Sequence, residues 1–232
     1  MSLLVPARRP SREILDDPDI PAEEMCRSLE DLALVNRWWG SAGALARFLL
    51  REIRENGVAR PVILDVGAGS GDVSRRLARS LERAGHPARV VACDVQWRHV
   101  AAGRSLSQDA FPSLCADAFA LPVREKSVDW IVSTLFFHHF SPAENARLLA
   151  YFAQVARHGF ALLDLTRHLF PLAFISLAGR LFKTRISLQD GIASVRQAYT
   201  PEEARRIARE SASGARVDRI FPFRYLLSAT RG

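Results

Sequence analysis

Two adjacent histidines, His138 and His139, close the stretch "VSTLFFHHF" (132–140) in a chain that holds only six histidines. Histidine titrates near neutral pH, so it can accept the proton of a hydroxyl whose own pKa is about 10. The pair follows an apolar run, at the place where a buried strand would end. One imidazole can then face a ligand while its neighbour caps the next helix or fills a wall. Adjacent side chains seldom point the same way, so one base is expected. His138 is preferred, His139 is its structural partner, and His168 and Asp164 are rivals. Upstream, "LDVGAGSGD" (64–72) places Gly67, Gly69 and Gly71 after an apolar run, with Asp65 two residues before the first glycine. Glycines at a strand-to-helix turn let the backbone fold tightly and approach a ligand closely. A dinucleotide-binding G-x-G-x-x-G would need glycine where this chain has Asp72. Two further acids, Asp94 and Asp117, follow later apolar segments.

These residues need a scaffold, and the apolar periodicity supplies one. The runs at 61–66, 88–94, 127–134 and 159–165 are apolar on both faces and separated by helical patterns. That alternation predicts a parallel sheet covered by helices on both sides, doubly wound by right-handed crossovers. Ser141, Pro142 and Glu144 form a capping box opening one helix, and Thr200, Pro201 and Glu203 open another. The tail offers two final strands. Towards the N-terminus, a lead-in with three prolines in residues 1–20 reads as extended. Met25, Leu29, Leu32, Asn36 and Trp39 then share one helical stripe. A second helix is expected from Ser41, its N-cap, to Gly57. Residues 1–57 are therefore expected to form a front segment covering the site, and 58–232 the core, with a cap insertion at about 168–196.

At 232 residues the chain can bury a full core. Its net charge of +7 raises the prior for an anionic partner, but the arginines alternate with glutamates along helical segments, as solvated faces do. Cys26, Cys93 and Cys115 show neither CxxC spacing nor an even count, so neither a disulfide framework nor a metal site is expected. No apolar run reaches the roughly 18 residues of a spanning helix, and the first residues lack a signal-peptide pattern. Cytoplasm is the expected location.

The G-x-G-x-G form after an acid, with Asp94, Asp117 and the "STLFFHHF" segment in order, resembles class I S-adenosylmethionine-dependent methyltransferases of the small-molecule (quinone and polyketide) branch. The likeness runs from about Val62 to Thr166, close to half the chain. It implies a Rossmann-like, mostly parallel seven-stranded sheet and S-adenosylmethionine as cofactor. By the same resemblance Asp65, Gly67, Gly69 and Gly71 shape the cofactor loop. Asp94 with Val95 takes the ribose, Asp117 with Ala118 the adenine, and Ser133 lies near the methionine part. Asn36 interrupts an apolar stripe, and a buried amide needs a partner: cofactor, substrate or a backbone carbonyl.

"LFPLAFISLAGRLF", in the cap, is too apolar for an exposed loop and implies a hydrophobic acceptor such as an alkyl phenol, quinol or polyketide. Asp190, Ser194, Arg196 and Tyr199 are polar candidates there. The expected reaction is O-methylation of a phenol or enol, by a monomer or homodimer. Peripheral contact with a membrane also fits the positive charge. A nucleic-acid methyltransferase is the alternative that the charge favours. The segment after the fourth strand, however, lacks the Asn/Asp-Pro-Pro-aromatic motif of base-amino methylation, and neither Cys93 nor Cys115 sits where a cytosine-carbon enzyme needs its nucleophile. A catalytically silent cofactor-binding subunit is the remaining alternative.

Overall fold

The computed structural model describes residues 4–106, 111–212 and 214–231. A 3₁₀ turn (Ile14–Asp16) leads into α1 (Ala22–Trp38) and α2 (Ser41–Glu55). The alternating region follows as β1 (Val62–Val66), α3 (Asp72–Arg83), β2 (Arg89–Asp94), α4 (Trp97–Leu106), β3 (Ser113–Cys115), β4 (Val128–Thr134), α5 (Pro142–Val155) and β5 (Ala156–Leu165). The segment 168–196 contains α6 (Leu169–Ala178) and most of α7 (Arg185–Gln197). The chain continues through α8 (Pro201–Ser211), β6 (Arg216–Ile220) and β7 (Arg224–Thr230).

The strands form one seven-stranded sheet in the order β3-β2-β1-β4-β5-β7-β6. All pairings are parallel except those of β7, which runs antiparallel to both β5 and β6. The fold is the doubly wound α/β architecture expected from the sequence. Its switch point lies between β1 and β4, whose carboxyl ends open a crevice for ligands.

Side chains alternate between the two faces of each strand, which divides the core. Leu64, Ile131 and Phe160 pack with Leu148 and Phe152 of α5 and Ile207 of α8. Ile63, Trp130 and Ala161 pack with Leu45 and Leu49 of α2 and Leu77 of α3. The second helix thus shares its core with the sheet. Trp130 is fully buried in this layer, and truncating such a side chain to alanine typically costs about 3–5 kcal/mol.

Both expected capping boxes form: Ser141 and Thr200 each accept from the backbone N–H of the glutamate three residues on. Ser41 departs from expectation. Gly40, in the left-handed region, is the N-cap of α2, and the Ser41 hydroxyl donates to Asn36 Oδ1. Short β3 carries too few residues for a periodic signal, and it pairs with β2 through Ala92, Cys93 and Asp94.

Candidate active site

The glycine turn joins β1 to α3 at the crevice. Gly67 has φ +69, and a Cβ there would lie 2.3 Å from Cδ2 of Phe136, so only glycine lets that ring close over the turn. Gly71 is the N-cap of α3. Gly103 in α4 plays an unsignalled part: a Cβ there would meet the Ser70 carbonyl oxygen at 2.2 Å, so its absence lets α4 pack against the loop.

Asp94, at the end of β2, ties the loop to the sheet. Its Oδ2 accepts from the Gly69 N–H at 2.7 Å and its Oδ1 from the Gln96 N–H at 2.8 Å. Asp65 is buried beneath the loop and accepts from the Ser74 hydroxyl at 2.5 Å; burial pushes its carboxyl up to about 7. Asp72, the residue that breaks the dinucleotide pattern, opens α3. Its Oδ1 lies 3.5 Å from the Asn36 amide nitrogen that donates to it, while its buried Oδ2 finds no partner among the described residues. Asn36, held in turn by Ser41, therefore connects the front helix α1 to the glycine loop. Burial pushes the Asp72 carboxyl up as well.

Asn36, Asp65, Gly67, Gly69, Asp72 and Asp94 line a cleft of about 330 Å³ that also includes Val95, His138 and His139, whereas Gly71 lies outside the lining. Its donor set suits S-adenosylmethionine. Asp94 sits where two hydroxyls can bridge to a carboxylate, Val95 offers an apolar platform, and the orphaned Asp72 oxygen with Asp65 matches a cationic amino group. Asp117 and Ala118 lie outside the lining; Asp117 is exposed and accepts from the Phe119 N–H at 2.9 Å. Ser133 is buried and donates to the Val66 carbonyl at 2.6 Å, also outside the lining. Replacing Asp94 with alanine removes a charged acceptor and should weaken S-adenosylhomocysteine binding by about 1.5–3 kcal/mol, read by calorimetric titration. Unchanged affinity would remove Asp94 from the cofactor site.

The paired histidines sit in a 3₁₀ turn, Phe137–His139, beyond β4. They differ sharply. His138 is 1% exposed, its Nδ1 lies 2.7 Å from Asp164 Oδ1, and its backbone N–H donates to Asp164 Oδ2 at 2.9 Å. Its Nε2 faces Glu13 Oε1 at 3.4 Å. Burial disfavours the imidazolium, but the charge and hydrogen bond of Asp164, with those of Glu13, outweigh it and hold the pKa at about 10. The two acids thus favour the protonated form of His138. His139 stacks on it at 4.5 Å, with its Nε2 3.8 Å from Glu13 Oε2 and its Nδ1 3.7 Å from Asp16 Oδ2. Burial, and next the neighbouring charge of His138, lower the His139 pKa and favour its neutral ring.

Glu13 is the residue that sequence reasoning missed most completely. It belongs to the proline-rich lead-in, which runs across the carboxyl edge of the sheet as a strap. Arg8 donates to the carbonyls of Gln197, His138 and Phe140 and lies over the Tyr199 ring at 4.1 Å. Asp190 accepts from the Ile14 and Leu15 N–H groups, both at 2.8 Å. Ser194 and Gln197 donate to Glu13 Oε1 at 2.5 and 2.9 Å. Burial alone would push the Glu13 carboxyl up, but His138 and then His139, with the Ser194 hydrogen bond, bring it down to about 2. Glu13, His138 and His139 place three donor atoms within 4.8 Å of one another.

The other polar candidates fall elsewhere. His168 caps α6 by accepting from the Phe170 N–H at 3.1 Å and stacks near Phe223, away from the cleft lining. Tyr199 donates to the Phe140 carbonyl at 2.6 Å, and the Arg196 carbonyl accepts from the Arg9 N–H.

A second, apolar cleft of about 100 Å³ opens beside the first, walled by Val35, Trp38, Trp39, Leu165, Phe174 and Ile175. Glu13, Leu15, Leu32, Leu135 and Ser194 line both. Leu135, at the junction, has φ +55, a conformation that costs a leucine on the order of 1 kcal/mol and is held by its N–H donating to the Leu163 carbonyl.

Residues 63–159 match a family described as a methyltransferase domain. No curated protein matches the chain. Among solved structures, a plantazolicin methyltransferase in complex with S-adenosylhomocysteine shares 11% identity over 94% of this chain and 92% of its own, with a TM-score of 0.66. The magnesium protoporphyrin IX methyltransferase of Synechocystis PCC 6803, with the same ligand bound, shares 19% identity over 84% and 83%, with a TM-score of 0.55. A SAM-dependent methyltransferase from Aquifex aeolicus shares 20% identity over 78% and 88%, with a TM-score of 0.53.

Proposed function

We propose that this chain, a class I S-adenosylmethionine-dependent methyltransferase, methylates a hydroxyl, phenolic or enolic, on an apolar small molecule. The observation that carries the reading is the junction of the two clefts: a polar one suited to the cofactor, with His139 in its wall, meets an apolar one at Glu13, which lies 3.8 Å from the His139 ring. The bound cofactor supplies an electrophilic methyl group. The chain's own residues then have three tasks.

The first is orientation. Trp38, Trp39, Phe174 and Ile175 hold an apolar acceptor while excluding water, and positioning of this kind accounts for much of the rate in a displacement. The second is removal of a proton. A phenol is mostly protonated at pH 7, and a neutral imidazole can accept its proton as the oxygen is methylated. The lowered pKa of His139 favours the neutral ring, and His139 lines the polar cleft. His138, the preferred base from sequence, is buried between Asp164 and Glu13, which favour its protonated form, so we assign it a positioning role. The third is stabilisation of the product charge. Glu13 and Asp16 flank His139 at ion-pair distance and favour the imidazolium once it forms.

A series of 4-alkyl phenols tests the acceptor class. Each methylene buried in an apolar wall contributes about 0.8 kcal/mol, so kcat/KM should rise about fourfold per added carbon until the cleft is filled. A flat series, or a preference for short polar phenols, would contradict an apolar acceptor.

A further inference from the structure

The rim of the apolar cleft continues into an exposed apolar face. Trp38 and Phe174 line the cleft and are themselves more than half exposed. Beyond them α6 and the turn after it present Phe170, Leu177 (78% exposed) and Leu181 (67%). Phe170 stacks on Phe223 at 5.7 Å, which extends the face to the β6–β7 turn and to Phe221, 91% exposed. Large apolar side chains gathered this way on a basic chain mark an interaction surface.

The surrounding charge indicates what covers it. Residues 166–189 contain no acid, and no acid follows Asp218; of the bases there, Arg167 is buried against Glu203, while Lys183 and Arg185 are exposed. Arg37, beside Trp38, is exposed and makes no ion pair among the described residues; Lys183 pairs with Glu30. A two-fold interface between copies would set this basic rim against itself, so a second copy is a poor occupant. Anionic headgroups above an acyl layer complement both features. No helix among the described residues is long and apolar enough to cross a membrane, which leaves the interface plane.

We propose that α6 and the β6–β7 turn dock this protein on an anionic lipid surface, with Phe170, Leu177, Leu181 and Phe221 entering the headgroup–acyl boundary. The mouth of the acceptor cleft then opens towards the lipid. An apolar acceptor dissolved there reaches Trp38 and Phe174 without crossing water, a consequence that rests on the function proposed above; the docking itself rests on the surface alone.

The test is co-sedimentation of the full chain with vesicles of phosphatidylcholine alone and of phosphatidylcholine mixed with phosphatidylglycerol. Binding is expected to the mixed vesicles only and to weaken as salt is raised. The double variant Leu177→Glu/Phe221→Glu, at two exposed positions outside both clefts, should lower the partition coefficient about tenfold or more. Absence of binding to the mixed vesicles, or equal binding by wild type and variant, would overturn the proposal. So would a dimer in sedimentation velocity that the double variant dissociates, because the face would then be covered by a second copy. Titration with S-adenosylhomocysteine on the same samples shows that the variant is folded and reports separately on the methyltransferase assignment.

Discussion

His139→Ala is expected to lower kcat by about 10²- to 10⁴-fold while leaving the dissociation constant of S-adenosylhomocysteine unchanged. The range is that of a general base removed from a reaction whose other components stay in place. The pH profile separates this role from a purely structural one. A base must be unprotonated to work, and the folded-state pKa of His139 lies below its ordinary value of 6.5. The wild-type rate should therefore be level at neutral pH and fall as the solution is acidified below that value. The variant's residual rate should lack that acidic limb. A variant that keeps kcat within threefold, or that loses rate while retaining the limb, would remove His139 as the proton acceptor.

Asp164→Ala carries the largest expected cost in stability, about 3–5 kcal/mol, because it leaves the buried His138 without its principal counter-charge. The sign of the pH dependence follows from the shift. His138 has a folded pKa of about 10 against 6.5 in the unfolded chain, so its contribution is fully present below pH 6.5 and is lost as pH rises through about 10. Glu13 behaves in the opposite sense: with a folded pKa of about 2 against 4.5, its contribution is present above pH 4.5 and is lost as pH falls towards 2. Thermal melts of the wild type should therefore lose Tm between pH 7 and 10, and Asp164→Ala should start lower and flatten over that interval. A variant melting within a degree or two of wild type, with the same alkaline decline, would contradict the assignment of the charge to this pair.

The parts that could be read from the sequence are those encoded locally. The continuous apolar runs of β1, β2, β4 and β5, the glycines of "LDVGAGSGD" and the two capping boxes each depend on residues within a few positions of one another. Other features depend on distant partners. Glu13 meets Ser194 across 181 positions of sequence, and a short, proline-rich segment carries no periodicity that could announce the contact. The roles proposed for the two histidines are the reverse of the sequence expectation for the same reason. Residue type marks both imidazoles as candidates, but their protonation depends on Asp164 and Glu13, which converge only in the folded chain. Asn36 was recognisable as a buried amide in need of a partner. That the partners are Ser41 and Asp72 follows from how α1 and α2 close over the glycine loop.

The most direct test of the central claim is transfer of a labelled methyl group from S-adenosylmethionine to an extract of the source cells, partitioned into organic-soluble, RNA and protein fractions. The account predicts label in the organic fraction, on an oxygen of an apolar product identified by NMR, and its loss with His139→Ala. Label in RNA or protein, or on carbon in the organic product, would contradict it.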